Sequence, residues 1–382
     1  MLNFTDLCVE RPVGTQGNNH VLNLLRNAFS QLNFIVAELP FECTVWQSGK
    51  SYIEQCSEKA AIFPGPFSNE LTGIYPLQCV SSLDELTKIK NCNGVLFFRN
   101  ELTQAAIMPK NFPFYFPDED KLMYDIIEAV NPKGIIAISG QDPVSGLNPF
   151  PIFEDANLEI PNAYTLTLGN ITEAHEIAIT LNSHRHTVQS RQQIFRNEFM
   201  SKDIIVITAH MDSKYGTKGA VDNASGLYTL YETAKLINAH CYKHSIEIVP
   251  FNGEDSPEVS GQLAYLKYLE ENNIKIKFAI NIDGVGYTGM DNLFSFYNFD
   301  DTMKAKIIAT NSITEGDQWY SGDHSIFAFQ EIPCIAVTSA NTSGNMTKII
   351  HTQSDTPELV DLHSLRALSE KIAGAVKILD EW

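Results

Sequence analysis

Residues 204–222 read IIVITAHMDSKYGTKGAVD, and the fold turns on how this stretch changes character along its length. Ile204, Ile205, Val206 and Ile207 are four β-branched residues in succession. An unbroken apolar run of this kind fits a strand covered on both faces, as inside a mainly parallel sheet with helices on either side. His210, Asp212 and Asp222 come after it, where the strand should end. In open α/β sheets ligands bind at the carboxyl ends of the strands, so a histidine and two aspartates released there are placed for chemistry.

Working outward, the same unit repeats. Residues 223–240 carry Leu227, Leu230, Tyr231, Ala234 and Ile237 at helical spacing, with Asp222 or Asn223 as the cap. Strands are expected at 245–251, 277–283 and 331–339, a helix at 260–271, and a terminal helix marked by Leu362, Leu365, Leu368, Ile372, Val376 and Leu379. Upstream, residues 18–32 place Val21, Leu24, Leu25, Ala28, Phe29 and Leu32 on one helical face, with Asn18 or Asn19 available as N-cap. A strand is expected next at 34–46, and segments 176–182 and 193–199 are expected to pair and lead into the opening strand. Strands and helices alternating at these lengths imply an α/β three-layer sandwich, a central, mostly parallel mixed sheet flanked by helices.

One part of the chain departs from this pattern. Residues 51–165 hold 11 of the 17 prolines, whereas 166–249 hold none. Short strand candidates at 93–98 and 133–139 alternate there with turns and one helical stretch at 119–130. The expected organisation is a main domain from 1–50 and 166–382, with a small α/β insertion at 51–165.

The hydrophobic fraction of 44% and charged fraction of 19% are those of a globular protein, which excludes a disordered chain. The net charge of -19 opposes nucleic acid binding, because phosphates would be repelled and no Lys/Arg cluster offsets the field. No apolar run reaches the ~18 residues of a membrane span. The N-terminus MLNFTDLCVERPVG lacks a basic region followed by an apolar core. Seven cysteines, odd in number and without a CxxC pair, fit a reducing compartment. A cytoplasmic protein is therefore expected, or a secreted one if a leader has been removed.

Each of these strands is succeeded by acidic residues: Asp212 and Asp222, then Glu254 and Asp255, then Asp283, with His351 nearer the C-terminus. Regular right-handed crossovers bring these ends to one rim. Carboxylates meeting there without counter-charge would repel one another and raise their pKa values. Two divalent cations remove that conflict.

The ordered set HMDS (210–213), GAVDNASG (219–226), NGED (252–255), NID (281–283) and HTQSDT (351–356) resembles the dinuclear zinc aminopeptidases of the M28 family. RPVG at Arg11, followed by a helix, looks like the start of that catalytic domain, and the insertion looks like its protease-associated (PA) domain. The resemblance implies two Zn²⁺ per chain. His210, Asp222 and Asp283 would hold one, and Asp222, Asp255 and His351 the other, with Asp222 bridging. It implies Glu254 as general base, Asp212 as the partner that orients the His210 ring, and peptides with a free N-terminus as substrates. Many relatives carry Glu where this chain has Asp255, so the site is expected to be tuned rather than broken. SGDHSIF (321–327) resembles a segment at the rim of the site, where His324 would polarise the substrate carbonyl. Zinc would polarise that carbonyl too and lower the pKa of a bridging water towards ~7.

Other readings carry less. His184 and His186 share a face of a possible strand without accompanying carboxylates, which suits surface or packing roles. GVGYTG (284–289) satisfies the dinucleotide pattern after a strand, yet the next residues, MDNLFSFYNF, are strand-like rather than helical, and Asp283 would repel a pyrophosphate. A glutaminyl cyclase of the same fold and a non-catalytic binding homologue are the rival functions. The form of GAVDNASG favours a peptidase over the first, and the filled ligand positions argue against the second.

Overall fold

A computed structural model describes the chain except residues 1, 144, 173–175, 198–200, 239 and 342–343. In chain order the strands are β1 (Ile35–Ser48), β2 (Ser51–Gln55), β3 (Glu58–Pro64), β4 (Leu71–Val80) and β5 (Val95–Phe98). Next come β6 (Gly134–Ile138), β7 (Asn162–Thr165), β8 (Glu176–Leu181), β9 (Ser183–Arg196) and β10 (Asp203–His210). The last are β11 (Ser245–Phe251), β12 (Lys275–Ile282), β13 (Asn292–Tyr297), β14 (Thr314–Glu315) and β15 (Cys334–Ser339).

One compact unit comprises Met1–Cys43 and Gln189–Trp382. Its eight-stranded sheet runs β1-β9-β11-β10-β12-β15-β13-β14. The β10 strand is central, parallel to β11 on one side and to β12 on the other, and β12 is parallel to β15. Strands β9 and β13 pair antiparallel with β11 and β15, which makes the sheet mixed. Ile205, Ile207, Ile246, Ile248, Ile280 and Ile282 pack beneath the helices Gln16–Gln31, Ser225–Ile237 and Leu362–Glu381. On the other face Phe251 meets Tyr265 of helix Ser260–Glu271 and Phe327 of helix His324–Ala328. The buried β-branched run of β10 is thus covered on both sides, and three layers result.

The second unit, Thr44–Val188, closes a barrel in the order β2-β3-β7-β6-β5-β4-β8. Val95 and Phe97 of β5 join its interior with Ile177 and Ile179, while Leu96 and Phe98 pack outward with Tyr124 and Ile127 of helix Asp118–Val130. The units divide at 43/44 and 188/189, not at the 50/51 and 165/166 borders suggested by proline content. Strand β8 accounts for part of the difference: it pairs with β2 on one edge and β4 on the other. Its sequence, EIAITL, holds no proline, yet this pairing makes it a barrel strand. Nor do β8 and β9 pair with each other as the sequence suggests; β9 lies in the large sheet beside β11. Residues 198–199 of the expected second segment lie outside the described residues.

Helix Gln16–Gln31 is capped by Thr15, whose side chain accepts the Asn18 N–H, not by Asn18 or Asn19. Asn18 turns inward instead, donating to the Arg11 carbonyl at 3.1 Å and to Asn252 Oδ1 at 2.8 Å. The glycines of 284–289 lead into strand β13 rather than a helix, so the dinucleotide pattern lacks its helix N-terminus. Among the described residues no helix is long and apolar enough to cross a membrane.

Candidate metal centre

The parallel register aligns the ends of three strands. His210, the last residue of β10, stands opposite Phe251, the last of β11, and Thr208 stands opposite Asn281 of β12. Asn252–Asp255, directly after β11, and Asp283, directly after β12, emerge on the same edge as His210.

Asp212 ties two of these loops together. Its carboxylate accepts the backbone N–H groups of Gly253 at 3.0 Å, Glu254 at 3.1 Å and Asp255 at 3.0 Å. It also lies 3.6 Å from His210 Nδ1. Glu254 and Asp255 occupy a turn rather than the extended segment expected from sequence, and they diverge all the same. Asp255 Oδ1 is 3.2 Å from His351 Nε2, while Glu254 Oε2 is 4.0 Å from His210 Nε2.

Asp222 sits between the two histidines, with Oδ1 2.9 Å from His210 Nε2 and Oδ2 2.9 Å from His351 Nε2. It lies outside helix Ser225–Ile237, in a segment with non-helical backbone at Asp222 and Asn223. Asn223 braces the turn: its amide donates to the Ile282 carbonyl at 2.9 Å and its Oδ1 accepts the Gly226 N–H at 3.0 Å. At Gly219, where φ is +54°, a Cβ would stand 2.4 Å from the Asp222 carbonyl oxygen, so only glycine fits.

Arg11, fully buried, holds the same loops from behind. Its guanidinium donates to the carbonyls of Met211 at 2.6 Å, Lys218 at 2.8 Å and Gly219 at 2.9 Å, and also to Leu7 and Val9. Asp355 accepts the N–H groups of Val221 at 2.7 Å and Asp222 at 3.1 Å. Sequence reading missed roles for both residues, although each lies inside or beside a motif already singled out.

The residues form two groups that share one carboxylate: His210, Asp222 and Asp283, and Asp222, Asp255 and His351, with ligand atoms in each within 4.8 Å of one another. A third grouping, His210 with Glu254 and Asp255, overlaps them. Glu254 is the more exposed carboxylate there and lies farther from His210 than Asp222 or Asp283 does. Asp255 Oδ2 is buried without a hydrogen-bond partner. Imidazole nitrogens and carboxylate oxygens clustered around one shared carboxylate are a donor set that zinc accepts.

The electrostatics match. Burial opposes the charged form of His210, but the Asp283 charge and the contacts with Asp212, Asp222 and Asp283 outweigh it and hold its pKa well above the ordinary value. His351 is raised likewise against its own burial, by Asp255 and Asp222. Asp222 is held well below the carboxylate range, its burial overcome by the two histidines. Burial pushes Glu254 well up, with Asp255 and Asp283 adding to the effect and His210 opposing it. Raised histidines around a depressed carboxylate mark a site that favours positive charge, which cations can supply.

His324 departs from its expected role. Its ring is 0% exposed, and Nε2 lies 2.7 Å from the Trp319 carbonyl oxygen, which fixes the proton on that nitrogen. Burial pushes its pKa down to about 4, so the ring is neutral, and its remaining nitrogen can only accept. No N–H is left for a substrate carbonyl. His184 and His186 lie on β9 as exposed residues, and neither belongs to a metal-competent group among the described residues.

Residues 194–376 match the model of peptidase family M28. Among solved structures, an aminopeptidase from Aneurinibacillus sp. strain AM-1 aligns with TM-score 0.71 and 16% identity, covering 98% of this chain and 93% of that one. A zinc aminopeptidase from Bacillus subtilis aligns with TM-score 0.74 and 17% identity over 98% and 93% of the two chains. A peptidase M28 precursor from Shewanella amazonensis gives 0.66 and 17% over 99% and 91%. At these identities the likeness is one of fold. No curated protein sequence matches.

Proposed function

We propose that this chain, whose residues 194–376 match the model of peptidase family M28, is a zinc-dependent exopeptidase removing the N-terminal residue from peptides. His210, Asp222 and Asp283 would hold one zinc ion, and Asp222, Asp255 and His351 a second. The observation that carries this reading is Asp222, whose two oxygens each lie 2.9 Å from a different histidine. Zinc, when bound, supplies Lewis acidity to the scissile carbonyl and lowers the pKa of water towards ~7.

The protein's own groups do the rest. Glu254 is the general base: it takes the attacking water's proton and returns it to the leaving amine. Burial raises its pKa, the direction that makes a carboxylate a stronger base. Asp212 accepts the Glu254 N–H and stands 3.6 Å from His210 Nδ1, so one carboxylate faces both the base's turn and the histidine ring. The acidic rim suits a substrate's free α-ammonium group. The barrel of Thr44–Val188 is assigned as a protease-associated module on the strength of its insertion into the peptidase chain.

The test is hydrolysis of aminoacyl-anilides by the purified chain, abolished by a chelator and restored by zinc. Metal-loaded protein without such activity would sink the proposal. Release of ammonia from peptides with N-terminal glutamine would instead assign a cyclase.

A further inference from the structure

One buried carboxyl group is not used by the chemistry above. Asp323, in the segment between Trp319 and helix His324–Ala328, is 4% exposed. Its Oδ1 accepts the side-chain N–H of Gln262 at 2.9 Å, and Gln262, on helix Ser260–Glu271, is itself fully buried. Two atoms of this same pair, Asp323 Oδ2 and Gln262 Oε1, are buried with no hydrogen-bond partner. With Asp323 ionised, its carboxylate and the amide oxygen would be two desolvated acceptors on side chains already joined, an arrangement that leaves the desolvation of each uncompensated.

A proton on Asp323 Oδ2 would make that atom a donor, and Gln262 Oε1 is the unpartnered acceptor on the side chain that Asp323 already bonds; the two together would close a ring of two hydrogen bonds, acid to amide and amide to acid. The electrostatics agree: burial pushes the Asp323 carboxyl up to about 7, with Asp283 and Asp212 adding to the rise, and the Gln262 bond and His210 opposing it. A carboxyl group kept neutral in this way serves as a hydrogen-bond donor.

The pair also has a direction. Gln262 Oε1 lies against Gly253: a Cβ there would be 2.9 Å from it. Gly253 adjoins Glu254 in the turn whose N–H groups bind Asp212. The chain from Asp323 through Gln262 thus ends at the segment that carries the general base.

We propose that Asp323 is a positioning residue held as the neutral acid, paired with Gln262 through two hydrogen bonds, so that the segment before His324 is clasped to the Gly253–Asp255 turn and Glu254 is kept in place. The kinetic part of the test rests on the peptidase reading, whereas the spectroscopic part does not.

In the zinc-loaded full chain, the infrared difference spectrum of wild type minus D323N, recorded about one pH unit below the value near 7 to which burial pushes the carboxyl, should contain a carboxylic-acid carbonyl band. D323N can form the equivalent amide–amide ring and should retain kcat within about threefold, with unchanged zinc content. D323L, which can form neither bond, should lose kcat by about 10- to 100-fold, the range for groups that orient a metal site, with KM little changed. Q262L should reproduce that loss, which keeps the kinetic test available if D323L does not fold. A carboxylate band in place of the acid band would overturn the proposal. So would D323N falling as far as D323L, or Q262L retaining full kcat. Absence of peptidase activity in the wild type, with the acid band present, would sink the functional assignment and leave the neutral pair standing.

Discussion

Asp355 holds Asp222 by its backbone: one carboxylate oxygen accepts the Asp222 N–H at 3.1 Å while the other accepts the N–H of Val221 at 2.7 Å. The residue assigned to both metals is therefore fixed from below by a second carboxylate that points its charge at the main chain. D355A leaves two buried N–H groups without acceptors, at ~1–3 kcal/mol for each. The expected result is a lower melting temperature and zinc affinity reduced by about 10- to 100-fold. Competition titration with a chromophoric chelator measures the affinity; an unchanged value would mean that Asp222 is placed without help from Asp355.

Glu254 and Asp255 are neighbours proposed to have different tasks, and one substitution separates them. E254Q keeps the shape of the side chain and removes its ability to accept a proton. Zinc content should stay as in the wild type while kcat falls by ~10²–10⁴. D255A should instead lose metal, because its Oδ1 faces His351 at 3.2 Å. An E254Q enzyme with wild-type turnover would remove Glu254 from the chemistry.

The metal-free protein should have a distinctive pH profile. His210 and His351 have raised pKa values, so the stability they contribute is fully present below the unfolded histidine value of ~6.5 and is lost as pH rises through their folded values. Glu254 and Asp283, raised mainly by burial, act in the same sense: their contribution is present at low pH and is lost as they ionise. Asp222, depressed, contributes above the unfolded aspartate value of ~3.9, and loses that contribution as pH falls through its folded pKa. Chelated protein should therefore melt at progressively lower temperature as pH rises above ~6.5. Zinc-loaded protein should not, because cations replace the protons. Parallel melting curves with and without metal would contradict this.

Much of the fold is legible in the sequence because the decisive signals are local. Ile204–Ile207 can be read as a doubly covered strand without knowing its neighbours, and the acids at 212, 254, 255 and 283 each come just after such a strand. The features that escape are those that depend on distant partners. Arg11 is a lone arginine in the sequence, and only folding brings the carbonyls of Met211, Lys218 and Gly219 around it. Asn18 looks like a helix cap until Asn252 is placed beside it. His324 reads as a group able to polarise a substrate carbonyl, and it is the Trp319 carbonyl five residues earlier that accepts the hydrogen bond from its Nε2–H. The barrel's true extent is hidden for a related reason. Strand β8 reads like the strands of the large sheet, and only its pairing with β2 and β4 assigns it to the barrel.

The claim on which the rest depends is that two metal ions share Asp222. Crystals of zinc-loaded protein, with diffraction recorded on both sides of the zinc absorption edge, test it directly. We expect two anomalous peaks, one beside His210 and Asp283 and the other beside Asp255 and His351, each within bonding distance of a different Asp222 oxygen. A single peak under saturating zinc, or two peaks of which only one touches Asp222, would contradict it.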